Sequence, residues 1–196
     1  MTEQRGERLP RAQRREQILA AATTAFARSG FAATSLDDVA REAGISRMIV
    51  YRHFESKRDL YEQALVRFGD RIHAATLGDE ISMKTLEAFI AAAAADPDGF
   101  RLLYRHAARE PEFRSIVDQV RQGMAEATYE QIAGHVADPA WRKWAADSIP
   151  PVLVETIMAW LDAGQPDPAT VADRVQAVLR TIIEAAHQAP DPPPSR

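Results

Sequence analysis

The sequence predicts an all-α protein: an N-terminal three-helix unit containing a helix-turn-helix, followed by a larger helical region. Three observations carry this. Apolar residues recur at helical spacing along nearly the whole chain, with no alternating strand pattern. Gly and Pro fall between these stretches as punctuation. Between Thr34 and Lys57, two short helical patterns are bent across Gly44, and a third helix start comes at Ser56.

Taken in order, Met1–Pro10 is polar and carries Arg5 and Arg8, which predicts a flexible arm. Arg11–Ser29 is a strong helix, with Ile18, Ala22 and Phe26 stacked every four residues and Gly30 as its stop. Ser35 is a natural N-cap, and Asp38 three residues on completes a capping-box-like start. Leu36, Val39, Ala40 and Ala43 then share one face. Gly44 supplies the positive φ that ends this helix, Ile45 fills the corner and Ser46 caps the next. From Ser56 a long helix is predicted to about Leu77, with Tyr61, Leu65, Phe68 and Ile72 as its inner stripe.

A helix, a tight Gly turn and a second helix make the geometry used for DNA. At 100° per residue, Arg47, Met48, Tyr51 and Arg52 lie within an arc of about 140°. Val50 and Phe54 fall elsewhere and can pin the helix. Arginine forks suit guanine edges and phosphates. Thr34, His53 and Lys57 flank the helix, where donors can hold the DNA backbone without reading sequence, and Ser35 and Ser46 are further candidate DNA-binding positions. A solvated helix face would carry similar charges, so the arc alone does not decide between the two.

The ordered pattern is more specific. Ile18-Leu19-x-Ala21-Ala22-x-x-x-Phe26, Gly30-Phe31-x-x-Thr34-Ser35, Val39-Ala40-x-x-Ala43-Gly44-Ile45-Ser46 and Val50-Tyr51-x-His53-Phe54-x-Ser56-Lys57-x-x-Leu60 succeed one another without a gap. This resembles the opening of the TetR family of transcriptional regulators, over about residues 11–71. The resemblance implies an N-terminal DNA-binding domain, a C-terminal helical ligand-binding and dimerisation domain, and a homodimer released from double-stranded operator DNA by a small molecule. It implies DNA-facing positions at Thr34, Ser46, Arg47, Tyr51, Arg52, His53 and Lys57. Where that family commonly has Gly and a small hydroxyl residue, this chain has Met48-Ile49. That removes a close backbone approach and a phosphate hydrogen bond, but offers apolar contact to thymine methyls.

The expected organisation is therefore an arm at 1–10, a helix-turn-helix domain at 11–56 (the family domain reaching about 71), a ligand and dimerisation domain at 57–189, and a Pro-rich tail at 190–196. Charge supports the division. Residues 1–71 hold 13 Lys and Arg against 10 Asp and Glu, whereas residues 72–196 hold 11 against 18. A basic N-terminal part on an acidic body suits selective DNA binding with weak non-specific affinity.

In the second half, Ser82–Ala95 reads as helix, Asp96–Gly99 as a loop and Phe100–Arg109 as a short helix. Glu110-Pro111 reads as the start of a helix running to about His135. Asp138-Pro139 opens another, which Pro150-Pro151 either kinks or restarts. Val152–Ala163 and Pro168–Gln188 are expected as a hairpin around Gly164-Gln165-Pro166. Leu153, Ile157, Trp160 and Leu161, with Val171, Val175, Val178, Leu179 and Ile182, are the expected dimer seam. Packing within one chain would produce the same pattern.

Apolar pockets favour aromatic and flexible side chains, which nominates Phe100, Tyr104, His106, Met124, Tyr129, Trp141 and Trp144 for a pocket that takes a lipophilic or aromatic effector. The same residues serve equally as plain core. The sequence predicts no enzyme: it has no nucleophile elbow, phosphate loop or dinucleotide fingerprint, and its five His are scattered. No metal or cofactor is expected. With zero Cys, no 18-residue apolar run and no signal-peptide pattern, a cytoplasmic protein without a membrane partner is expected. Two further classes stay open: a regulator or activator that needs no ligand, and a ligand-binding dimer with degenerate DNA recognition.

Overall fold

Helix α1, Arg11–Ala33, begins the computed structural model, which describes residues 9–76 and 82–187. Most of the expected arm and the whole Pro190–Arg196 tail lie outside the described residues. Ile18, Ala22 and Phe26 are fully buried, as their spacing requires. Gly30 does break the helix, at φ 77° and ψ 174°, but one further turn carries on to Ala33. The left-handed φ is open to glycine at little cost, so the stop becomes a kink.

The predicted capping box starts α2, Leu36–Glu42: Ser35 Oγ accepts from Asp38 N, and the Asp38 carboxylate accepts from Ser35 N at 2.9 Å. The Ser35 hydroxyl, donating to Asp38 Oδ2 at 2.6 Å, then the Ser35 amide and Arg41, pull the Asp38 carboxyl pKa down to about 2. Gly44 takes φ 64°, Ile45 N closes onto Ala40 O at 2.9 Å, and α3 spans Arg47–Tyr51. Helix α4, Lys57–Thr76, starts where expected, with Ser56 Oγ accepting from Asp59 N at 3.0 Å. Leu60, Tyr61, Leu65 and Phe68 form its buried stripe.

Two units emerge. The first comprises residues 1–70 and 98–113, the second residues 71–97 and 114–196. Segment 98–113 belongs with the first unit because its aromatics enter that core. Phe113 packs on Tyr61 and Phe31, with ring centroids 4.4 and 4.9 Å apart, and Phe100 packs on Phe68 and Tyr104.

The second unit is built from α5 (Met83–Ala95), α7 (Arg114–Gln131), α8 (Pro139–Asp162) and α9 (Val171–His187). Helix α8 packs on both α7 and α9, and α5 packs on α9. Ile132, Val136, Ala145 and Ala186 make a buried cluster, with Ile182 and Ile183 against it.

Three local expectations are corrected. Asp96–Gly99 is not a loop, because α6 begins at Pro97 and runs to Arg101; Pro has the φ of a first helical turn and lacks only a donor that would be unpaired there. Its continuation is a π-helical turn, Leu102–His106, then a 3-10 turn, Ala107–Arg109. Residues 111–113 form a turn rather than the start of α7, since Phe113 is drawn into the aromatic core and its amide closes onto Glu110 O at 3.0 Å. Finally, of the two readings at Pro150-Pro151 the fresh helix start is set aside, because α8 runs as one helix through both. Buried Ala145, Ala146 and Ile149 before the prolines, and Val154 and Ile157 after them, hold it in place despite two missing donors.

Candidate nucleic-acid interface

The helix-turn-helix is fixed from behind. Val39 and Ala40 bury α2, Val50 and Phe54 bury the inner side of α3, and Gln17 Nε2 donates to Ala43 O at 2.9 Å. The outer side of α3 is left to solvent, with Met48 66% and Tyr51 48% exposed. Ser46, Arg47 and Arg52 are also exposed. Ser46 occupies the N-cap position but its hydroxyl makes no cap bond.

Arg47 is held rather than loose. Its guanidinium donates to Asp37 Oδ2 at 2.9 Å and to Tyr51 Oη at 3.0 Å, and lies 5.3 Å from the centre of the Tyr51 ring. Arg52 reaches back towards Met48 Sδ at 3.8 Å. Four of the expected DNA residues, Arg47, Met48, Tyr51 and Arg52, therefore share one exposed arc, and a fifth, Ser46, is exposed at its N-cap. Asp37 is not among the expected residues; nothing local in the sequence connects it to an arginine ten positions on.

The other four lie off that arc. Ser35 is the α2 cap. Thr34 is buried, and its hydroxyl lies 2.7 Å from Gly30 O and 3.2 Å from Ala25 O. Lys57 Nζ donates to Phe31 O at 2.8 Å and Thr34 O at 3.1 Å, and sits 4.3 Å from the Phe31 ring centre. The ammonium thus caps the end of α1, where the helix dipole favours a cation. His53 is half-buried with Nδ1 unpartnered; burial first, then the charges of Arg11, Arg14 and Arg15, push its pKa down and favour the neutral ring.

The expected ligand residues are divided between the two units. Phe100, Tyr104 and His106 belong to the first unit, where Phe100 and Tyr104 are buried in its core. Met124, Tyr129, Trp141 and Trp144 belong to the second. There the two Trp rings form an exposed edge-to-face pair with centroids 5.8 Å apart. Of the seven, only Tyr129 lines a groove of about 1180 Å³ in the second unit, whose charged rim includes Arg121, Glu126, Glu130, Lys143 and Asp147. Small residues such as Gly123, Ala146 and Pro150 also line it, and sequence periodicity does not single these out.

In the expected dimer seam, Ile157, Leu161, Val171 and Val175 are already buried within the chain. Val178 is 42% exposed, and Leu153, Trp160, Leu179 and Ile182 are half-buried. Trp160 Nε1 donates to Pro166 O at 2.8 Å across the hairpin turn. Among the described residues no cluster of His, Asp and Glu could hold a metal ion, and no helix is long and apolar enough to cross a membrane.

Comparison with known proteins places this architecture. Residues 18–64 match the model of bacterial regulatory proteins of the tetR family, and residues 79–183 match that of the tetracyclin repressor-like C-terminal domain. The chain belongs to the TetR family. It is therefore a DNA-binding transcriptional regulator with an N-terminal helix-turn-helix domain and a C-terminal helical domain. It is 29% identical over 188 residues to the HTH-type transcriptional activator FasR of Mycolicibacterium smegmatis, covering 91% of this chain and 84% of that protein. A shorter match, 37% over 51 residues, covers 26% of this chain and 27% of the biofilm operon negative regulator IcaR of Staphylococcus aureus. Among solved structures, a TetR-like regulator from Rhodococcus sp. RHA1 superposes with a TM-score of 0.77 at 25% identity, over 88% of this chain and 97% of that one.

Proposed function

We propose that this TetR-family chain binds a palindromic operator as a homodimer, represses transcription there, and is released by a small effector bound to the second unit. The observation that carries the DNA part is the exposed arc of Arg47, Met48, Tyr51 and Arg52, with Ser46 exposed at the N-cap, on an α3 whose other side is buried. In this reading Arg47 meets a base edge, with Asp37 and Tyr51 holding the fork in advance. Pre-set side chains lose less entropy on binding. Ser46 takes a phosphate, and Met48 takes the apolar contact that its place in the arc offers.

Composition alone points to a lipophilic or aromatic effector. The groove beside Tyr129 combines small apolar residues with charges of both signs, which favours an amphipathic molecule with a polar head. Dimerisation is assigned to the exposed faces of α8 and α9, around Val178 and Trp160. An effector relieves repression only if it favours the DNA-incompetent state, and DNA must then weaken the effector to the same degree. A thermal-shift screen, then operator binding with and without each hit, tests this. A hit that binds the groove and lowers operator affinity about 5- to 150-fold supports release; tight binding with unchanged operator affinity contradicts it.

A second reading has its own support. The relative matched over 91% of this chain is an activator, so the same DNA and effector sites can recruit transcription instead of blocking it. A reporter driven from the bound operator separates the two by the sign of the change.

A further inference from the structure

An uninterrupted α-helix would close Phe31 N–H onto Ala27 C=O, four residues back. In α1 the Gly30 kink breaks the helix between them, and two side chains from segment 98–113 meet the separated groups. Glu110 Oε1 accepts from Phe31 N at 2.6 Å. The His106 ring lies over the same break, with the Ala27 backbone as its polar neighbour. Both lie over the glycine: a Cβ placed on Gly30 would be 3.2 Å from Glu110 Oε1 and 3.5 Å from His106 Nδ1. The second Glu110 oxygen is buried in the same place, where burial first, then the adjacent Glu110 carboxylate, push the Tyr61 hydroxyl pKa up.

The backbone that carries the pair is itself irregular. The turn Leu102–His106 is π-helical and Ala107–Arg109 is 3-10. Irregular turns of this kind concentrate at functional sites. The kink is in turn the node that sets the DNA-binding elements. Gly30 O faces the Thr34 hydroxyl ahead of α2, and Phe31 O accepts from Lys57 at the start of α4.

We propose that His106 and Glu110 form a splint across the break in α1, acting as positioning residues that hold the helix-turn-helix in its operator-binding geometry. Glu110 replaces the acceptor that Phe31 N–H lost, from 79 residues along the chain, and His106 sits beside it over the kink. Neither residue belongs to the α3 arc.

The test uses the full chain and a duplex that it enriches from a random pool, compared with a scrambled duplex at the same salt. Glu110→Ala removes the acceptor for Phe31, whereas Glu110→Gln keeps one. The Ala variant should lose about tenfold or more of its affinity for the enriched duplex, the scale of one hydrogen bond to a charged group. Its affinity for the scrambled duplex should stay within about twofold, because the phosphate-facing residues are intact. Amide exchange over residues 26–36 in the DNA-free protein should quicken. The Gln variant should recover both properties. Equal losses on the two duplexes, or a Gln variant as impaired as Ala, would overturn the splint. If Glu110→Ala does not fold, His106→Gln (which keeps a polar group beside Ala27) against His106→Leu makes the same comparison. Failure to enrich any duplex would strike at the operator reading, and exchange at 26–36 would still decide the splint.

Discussion

Replacing Lys57 with Met keeps the aliphatic stem and removes the ammonium, which separates two roles for this residue. The family pattern makes it a phosphate contact, whereas the structure has it capping α1. Two short bonds, to Phe31 O at 2.8 Å and Thr34 O at 3.1 Å, would be lost, together with the contact to the Phe31 ring at 4.3 Å. The site is only half-buried, so the freed carbonyls regain some water, and about 1 kcal/mol for each bond is a fair net value. The ring contact adds about 0.5 kcal/mol. The loss should therefore be about 2–3 kcal/mol, or about 5–10 °C in Tm for a chain of this size. Thermal unfolding by circular dichroism measures it, alongside fluorescence anisotropy across a salt series. A Tm unchanged within about 1 °C, with every duplex weakened and the salt slope lowered by about one, would refute the cap and restore the phosphate contact.

Other substitutions probe separate parts of the account. Arg47→Ala should weaken the enriched operator about tenfold and relax discrimination at one base position; an equal loss on all sequences, measured by anisotropy, would remove Arg47 from the base edge. Because the pKa values of His53 and His106 are both lowered from 6.5, chiefly by burial, the folded state binds fewer protons than the unfolded one. The stability this contributes is complete above pH 6.5 and is lost as pH falls below it. Urea unfolding between pH 7.5 and 5 should show that decline, and His53→Gln should reduce it; an identical slope in the variant would contradict the assignment to His53. Val178→Glu places a charge on the exposed face of α9 and should yield monomers by light scattering, whereas an unchanged dimer would move the interface elsewhere.

Where a rule is local, the sequence carries it. Ser35 with Asp38, Gly44, and the Ile18-Ala22-Phe26 stack each specify their neighbours within a few residues, and all take the expected form. The exposed arc on α3 comes from the same arithmetic. The features that are not legible depend on contacts distant along the chain. Glu110-Pro111 has the local signature of a helix start, but Phe113 enters the aromatic core of the first unit and Glu110 binds Phe31, so α7 waits until Arg114. Phe100 and Tyr104 read as pocket aromatics because composition cannot tell a lining from a core. Thr34 and Lys57 sit where donors could meet phosphates, yet the carbonyls left by the Gly30 kink engage them first.

The central claim, that the α3 arc reads a DNA sequence, is tested most directly by selecting duplexes from a random pool with the full chain. Affinities of the enriched and scrambled duplexes are then measured at near-physiological salt. The account predicts a two-fold symmetric sequence whose half-sites lie about one helical turn, or a multiple of it, apart. It should bind at least about 1,000-fold tighter than the scrambled duplex, and Arg47→Ala and Arg52→Ala should erode that preference. Equal affinity for both duplexes, falling with salt alone, would contradict it.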